Sequence, residues 1–353
     1  MERQQFDFLK SLVETPSPSG YEQQAAAIWR EYAGQFADKI STDSQGSVVA
    51  GINLGGTPRV MLSGHIDEIG FIVRYIDEQG FLYFGTIGGF DPLTLPGERV
   101  QLLGKHGLVR GAIGRKARHL QRPDEQHKGI EIDDLWIDIG AANRQAAEEL
   151  VEVGTAATRA QGLETLANPD LIISRALDNK TGAYVVARAL ELVSQRQPRA
   201  AVFAVASVQE EVGLRGARTS AFGVDPRIGI AVDVTHASDY PTADKKRTAD
   251  VRLGGGPVLT FGPTINPRVA TNLLDAARSR GIAIQREAEG RTTGTDADAI
   301  QQVRAGIAAG LISIPLRYMH TGAEIGSLTD IEQCAELLAE AVAHIGPETS
   351  WIP

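Results

Sequence analysis

Apolar strand-like runs alternate with helix-patterned segments through the first sixty-odd residues of the chain and again from about 170 to its end. That alternation marks an α/β protein with a largely parallel sheet. Between the two blocks it stops. From about 70 to 165 the segments FIVRYID, GFLYFGTI, RVQLLG, GLVRGAIG and DLWIDIG are short, closely spaced and punctuated by Gly and Pro, with one helical patch near AANRQAAEEL. Such a stretch reads as a small all-β module. Because the alternation resumes after it, the simplest arrangement is a β-domain inserted into a surface loop of an α/β domain, where insertions are tolerated thermodynamically. The expected division is 1–68 and 166–353 for the α/β domain and 69–165 for the insert. A length of 353 residues, more than twice the ~150 of a typical domain, accommodates both.

In the first block Phe6, Leu9 and Val13, then Ala25, Ile28, Trp29 and Tyr32, recur at helical spacing, and strands SVVAGIN and RVMLSGH follow. The second block reads as helix 179–194, strands AVFAVAS and RIGIAVDV, helix 267–279, strands IAIQR and AGLISIP, and a last helix from about 328 to 345. The last helix opens with SLTD, an approximation to a capping box. The turn-rich segment from Asp233 to Pro257 is a long loop of the kind that is often functional.

Subtracting 44 acidic from 35 basic side chains leaves a net charge of -9, which argues against nucleic acid or anionic lipid as a partner. No cationic run exceeds Lys245, Lys246, Arg247. The N-terminus lacks a signal-peptide apolar core, and no apolar stretch approaches the ~18 residues of a membrane span. With Cys334 the only cysteine, no intrachain disulfide is possible. A cytoplasmic protein with a buried, inert thiol is expected.

Four apolar strand candidates end in groups that bind metals or move protons: VMLSG runs into His65, Asp67 and Glu68, AVFAVASVQ into Glu210 and Glu211, IGIAV into Asp233, and GLISIPLRYM into His320. Ligands of open parallel sheets bind beyond the carboxyl ends of the strands, so these groups are expected to converge there. Asp178, just before a helix pattern, joins them. Taken singly each has a plainer role: Asp178 as a helix cap, His65 or His320 as a surface histidine, Asp233 as a solvated strand end. The pair Glu210 and Glu211 is harder to dismiss, because adjacent carboxylates at the end of a buried strand repel unless a cation or shared proton compensates. The wide spacing of His65, Asp178, Glu211, Asp233 and His320 along the chain excludes a local zinc finger or calcium loop. Two imidazoles, several carboxylates and no thiolate suit Zn, Co or Mn in a two-metal centre. Glu210 would then be free to take a proton, and Asp67 to orient His65 through its other ring nitrogen.

The ordered motifs GHIDEIGF, RALDNKTGA, QEEVGLRGA, DVTHA, GTDADAI and RYMHTGAEIGSLTD resemble the dinuclear metallo-aminopeptidases of the glutamyl and tetrahedral aminopeptidase family, some members of which have been labelled endoglucanases. KHGLVRGAIGRKARHL and DLWIDIGA look like that family's own insert. The resemblance implies a phosphorylase/hydrolase-like peptidase domain carrying a PDZ-like β-domain used for dimer formation, with dimers assembling into a dodecamer. It implies that His65 and Asp233 hold one metal, Glu211 and His320 the other, and that Asp178 bridges them. Glu210 matches the general base and Asp67 the acid supporting His65. The chain departs from the family at Asn179 and Lys180, where Asp-Arg is frequent, and at Gly322, where Pro is frequent.

These readings predict hydrolysis of the N-terminal bond of short peptides. A dinuclear deacylase of acylated amino acids and a non-catalytic peptide-binding or assembly protein are the alternatives. Glycosidase chemistry needs a carboxylate pair but leaves His65 and His320 without a task. His106, His119, His127 and His236 are expected to be structural or solvated, with His236 near enough to Asp233 to line a pocket. The Gly-rich LGGGP at 253–257 and GTDA at 294–297 lack phosphate-loop spacing and are expected to form pocket wall.

Overall fold

The computed structural model describes residues 1–122 and 129–353. A mixed eight-stranded sheet has the order Lys39–Thr42, Val48–Ile52, Ala201–Ser207, Arg59–His65, Ile228–His236, Ala308–Leu316, Val258–Phe261, Gln285–Ala288. The four strands from Ala201–Ser207 to Ala308–Leu316 are mutually parallel, and antiparallel pairing joins both flanks to them. These four are buried on both faces, which is why they read as continuous apolar runs.

Helices Arg3–Glu14, Gln23–Gly34, Leu177–Ser194 and Leu328–Ala343 bury Leu9, Leu12, Trp29, Tyr184 and Leu338 in one core on one face. Helices Arg215–Val224 and Asp296–Ile300 cover the other face through Ala217, Ala221 and Ile300. Neither of these two helices is legible in the sequence, since they present small or few apolar side chains. Strand Val258–Phe261, four residues directly after the glycine run, is equally hidden. The last helix is capped by half a box. Ser327 Oγ accepts the Asp330 N–H at 3.2 Å, but the Asp330 carboxylate accepts from Gly254 and Gly256 N–H at 2.7 and 2.8 Å instead. Cys334 is buried in this helix, and burial pushes its thiol up.

The expected all-β segment closes into a small antiparallel barrel, in the order Gly70–Ile76, Leu82–Ile87, Leu135–Asp138, Gly107–Arg115, Arg99–Gly104, Ala156–Arg159. It has its own core around Phe71, Phe84, Val100, Leu102 and Ile137. Its first strand starts just past His65, and its last returns to a three-stranded sheet of Glu164–Thr165, Leu171–Ser174 and Glu324–Ser327. Among the described residues no helix is long and apolar enough to cross a membrane.

Two contacts seat helix Leu177–Ser194 on the sheet. A Cβ placed on Gly64 would lie 2.4 Å from the Gly182 carbonyl carbon, so glycine alone lets strand and helix backbones touch. Beside that contact Glu68 accepts from Lys180 Nζ at 2.7 Å and Arg175 Nη1 at 3.0 Å, all three side chains being almost fully buried. The Arg175 guanidinium also donates to the carbonyls of Val13, Glu14 and Arg159. Burial lowers the Lys180 ammonium to about 8 against the opposing pull of Glu68. Breaking a buried ion pair strands a charge at a cost of about 3–5 kcal/mol. Glu68→Ala is therefore expected to lower unfolding free energy by about that amount, read in denaturant titrations; a change within about 0.5 kcal/mol, the size of a neutral surface substitution, would contradict this account.

Candidate metal centre

The carboxyl edge of the four parallel strands gathers the predicted groups. His65 ends its strand opposite Ser207, after which the chain turns to present Glu210 and Glu211. Asp233 stands in register with Ser313, and His320 follows the end of Ala308–Leu316. Asp178 arrives from the helix side. Its non-helical backbone (φ −80°, ψ 109°) interrupts the first turn, and its carboxylate faces His65 and His320.

Asp178 is the centre of the cluster. Its Oδ1 lies 3.3 Å from His65 Nε2 and its Oδ2 lies 3.2 Å from His320 Nε2. Asp233 Oδ1 and Glu210 Oε2 are both 3.8 Å from His65 Nε2, and Glu211 Oε1 is 3.3 Å from His320 Nε2. Three overlapping groups result: His65, Asp178 and Asp233; Asp178, Glu211 and His320; His65, Glu210 and Glu211. Atoms sharing one ion at metal–ligand distances of about 2.0–2.3 Å stand about 3–4 Å apart, and the donor spacing fits that requirement.

Electrostatics fit it as well. Burial pushes Glu210 up to about 10 against the pull of His65, and the Asp233, Asp296 and Glu211 carboxylates add to the rise. Burial likewise raises Glu211 and Asp233. For His65 burial acts downward, yet the Glu210, Asp178 and Asp67 carboxylates hold it well above the ordinary imidazole range. His320, also opposed by burial, is held at about 11 by Asp178 and Glu211. Asp178 resists its own burial and stays low because both imidazoles face it. So many carboxylates cannot all ionise side by side without added positive charge.

Supporting contacts fix the cluster. Asp67 Oδ1 is 3.3 Å from His65 Nδ1, and its carboxylate accepts from Ser19 Oγ at 2.6 Å and from Glu210 and Glu211 N–H at 3.1 and 3.2 Å. Four further residues belong to the site although sequence reasoning gave them no ligand or proton-transfer role. The Glu324 carboxylate accepts from both Asp178 N–H (3.1 Å) and His320 N–H (2.8 Å). Asp296, inside the quoted GTDADAI motif, accepts from Ser63 and Ser207 hydroxyls while its Oδ1 is buried without a hydrogen-bond partner. Arg159, at the end of the barrel, donates to the His320 carbonyl and to Thr94 Oγ1, both at 3.0 Å. Glu287 joins from the far edge strand. The signal for Glu324 was its place four residues after His320; for Arg159 and Glu287 the sequence holds none.

The two departures from the family pattern are structural. Asn179 accepts the Gly182 N–H and donates to the Val232 carbonyl, and Lys180 is the buried partner of Glu68. A Cβ at Gly322 would meet Gln161 Nε2 at 2.9 Å and Arg159 Cδ at 3.2 Å. A cavity of about 280 Å³ opens on the cluster and is lined further by Thr235, His236, Thr260, Glu287, Glu289, Thr293, Gly294 and Thr295. His236 thus lines the pocket, as do Gly294 and Thr295, whereas residues 253–257 do not. His106 and His119 lie in the barrel segment, and His127 lies outside the described residues.

An α/β sheet with a carboxylate–imidazole cluster at its carboxyl edge defines a candidate metal-dependent hydrolase. Residues 46–337 match the M42 glutamyl aminopeptidase family, and the chain belongs to that family of aminopeptidases. The lysyl aminopeptidase of Pyrococcus furiosus is 34% identical over 345 residues, covering 97% of this chain and 98% of the relative. A TET aminopeptidase structure from the marine sediment archaeon Thaumarchaeota archaeon SCGC AB-539-E09 superposes with TM-score 0.93 at 33% identity, covering 98% and 97% of the two chains. The Pyrococcus horikoshii TET1 peptidase, which assembles into a tetrahedron or a large octahedral shell, matches at 28% identity and TM-score 0.86, covering 97% of this chain and 100% of the other.

A proton balance tests the cluster. Metal ligands must be deprotonated, whereas His65 and His320 are held protonated at neutral pH in the ion-free chain. Loading divalent ions onto ion-free protein at pH 7 is expected to release protons, and affinity to weaken as pH falls. Titration calorimetry in two buffers of different ionisation enthalpy measures the release, and its absence would remove these imidazoles from the ligand set.

Proposed function

We propose that this protein is a two-metal aminopeptidase that releases N-terminal residues from short peptides. The observation that carries the reading is the Asp178 carboxylate, whose two oxygens face His65 and His320 separately. His65 and Asp233 would hold one ion, Glu211 and His320 the other, with Asp178 shared between them; zinc suits this donor set best, and cobalt or manganese are accepted by it. When bound, divalent ions supply Lewis acidity toward the scissile carbonyl and toward water.

Glu210 is the one carboxylate of the inner group left over from this assignment, and it acts as the general base. It takes a proton from the attacking water and passes it to the leaving amine. Its elevated affinity for a proton suits the second half of that transfer, and positive charge in the cluster brings it down for the first. Asp67 holds the His65 ring by its Nδ1, fixing the tautomer that leaves Nε2 free. Glu324 positions the backbones of Asp178 and His320 through a single carboxylate.

The inserted domain, residues 69–165, is the assembly element of our reading, forming dimers that build a dodecamer. Its support is the apolar surface that the barrel exposes at Tyr75, Leu93, Leu108 and Leu120, together with the shells formed by the Pyrococcus horikoshii relative. The lone buried Cys334 agrees with a reducing, cytoplasmic setting.

Glu210→Gln is expected to keep its metal and lose about 10²–10⁴-fold in turnover on aminoacyl amides, whereas His65→Ala and His320→Ala lose metal. Near-wild-type turnover in Glu210→Gln would end the general-base assignment. Cleavage of N-acetylated substrates in preference to free-amine substrates would favour a deacylase. Light scattering is expected to give an oligomer mass; a monomer would overturn the assembly reading.

A further inference from the structure

We propose that the cavity beside the metal cluster is a subsite for a cationic side chain, the N-terminal lysine or arginine of the substrate, and that Glu287 is the group that reads it. The inference rests on the aminopeptidase reading and specifies its substrate class. Strand side chains alternate between faces, so pairing register decides which groups share the cavity floor. Asp233 pairs with Ser313, Ser313 with Val258, and Thr260 with Glu287. Asp233, Thr235, Ser313, Thr260 and Glu287 therefore occupy one face, in a row leading away from the metal cluster across four strands to the sheet edge.

The Glu287 carboxylate is aimed back along that row. Its Oε2 accepts from Thr235 Oγ1 at 2.6 Å, and its Oε1 accepts from Thr260 Oγ1 at 2.6 Å and Ser313 Oγ at 3.3 Å. Three hydroxyls from three different strands thus hold one half-buried carboxylate in place. A carboxylate offers about four acceptor positions, so one remains for a ligand in the cavity that Glu287 lines. Thr235 stands two residues beyond Asp233, about 7 Å along the strand. That separation calls for a long side chain between an α-carbon near the cluster and a charge at Glu287.

The remaining wall agrees. Val234, Leu311 and Met319 supply apolar surface for the methylene stem of such a side chain, and Glu289 adds a second carboxylate. Among the described residues no lysine or arginine lines the cavity. The neighbouring Arg286 belongs to the opposite face, where its guanidinium lies over the Phe261 ring at 4.9 Å. An acidic N-terminal side chain would bring like charge against Glu287, and an apolar one would leave its charge uncompensated and its remaining acceptor position unfilled. Discrimination of this kind comes from buried polar groups left unpaired by the wrong substrate.

The test compares kcat/KM for lysyl, arginyl, leucyl and glutamyl p-nitroanilides in the metal-loaded protein, in Glu287→Gln and in Glu287→Lys. The lysyl-to-leucyl ratio is expected to be at least about tenfold in the unmodified protein and to fall about tenfold or more in Glu287→Gln, chiefly through KM, the range reached when a hydrogen-bonding or charged contact is lost. In Glu287→Lys the glutamyl substrate should gain on the lysyl one. Ratios taken within one preparation are independent of the folded fraction, so a destabilised variant still reports. Preference for leucyl or glutamyl substrates in the unmodified protein, or an unchanged lysyl-to-leucyl ratio in both variants, overturns the subsite. Equal loss on all four substrates also overturns it, because it assigns Glu287 to the α-amine. If none of the four is cleaved the aminopeptidase reading fails by itself. Calorimetric binding of lysinamide against leucinamide then still decides the subsite: tighter lysinamide supports it and equal affinity refutes it.

Discussion

The buried carboxylate of Glu68 is the interaction on which the geometry of the carboxylate–imidazole cluster depends. It follows directly on the His65–Asp67 segment, and its partners Arg175 and Lys180 bracket Asp178. One ion cluster therefore sets the distance between the strand that presents His65 and the helix start that presents Asp178. Arg175 extends the clamp to the carbonyls at the end of helix Arg3–Glu14 and to the last strand of the barrel. Replacing such a cluster with apolar groups of similar volume is often neutral for stability. Its value here is positional, and the glycine contact at Gly64 and Gly182 makes that position reachable.

Geometry of this kind explains why so many like charges tolerate one another. Each parallel strand delivers its terminal residue to the same edge, and neighbouring strands lie about 4.8 Å apart. Side chains from adjacent strands and from the helix above them meet at separations of 3.2 to 3.8 Å. A sheet edge thus concentrates ligands in a way that no local motif does. Burial then turns the concentration into a demand for cations, because each carboxylate raises the proton affinity of the next.

The sequence revealed what depends on strand ends and little of what depends on lateral contact. Apolar runs located the four inner strands, and the residues at or after the end of each run located His65, Glu210, Glu211, Asp233 and His320. Asp178 was visible as an aspartate before a helix, and its carboxylate lies between the two imidazoles. Glu324 and Asp296 were quoted in motifs without a chemical task, because backbone hydrogen bonds and a buried orphan oxygen leave no mark in residue spacing. Glu287 lies on an edge strand of alternating exposure, and its reach to Thr235 depends on register across three strands. Arg159 comes from the barrel, whose relation to the sheet the chain order does not specify.

The Arg159 contact has a mechanical side. Its guanidinium lies over the Phe90 ring at 4.9 Å, bonds Thr94, and holds the His320 carbonyl, while Gly322 packs closely against the Arg159 and Gln161 side chains. The histidine loop, with Tyr318 and His320 both at positive φ, is thus seated on the barrel as much as on the sheet. A partner that tilts the barrel tilts an imidazole of the cluster. Barrel orientation and the spacing of the cluster are in this way one degree of freedom, with the Arg159 guanidinium as the linkage between them.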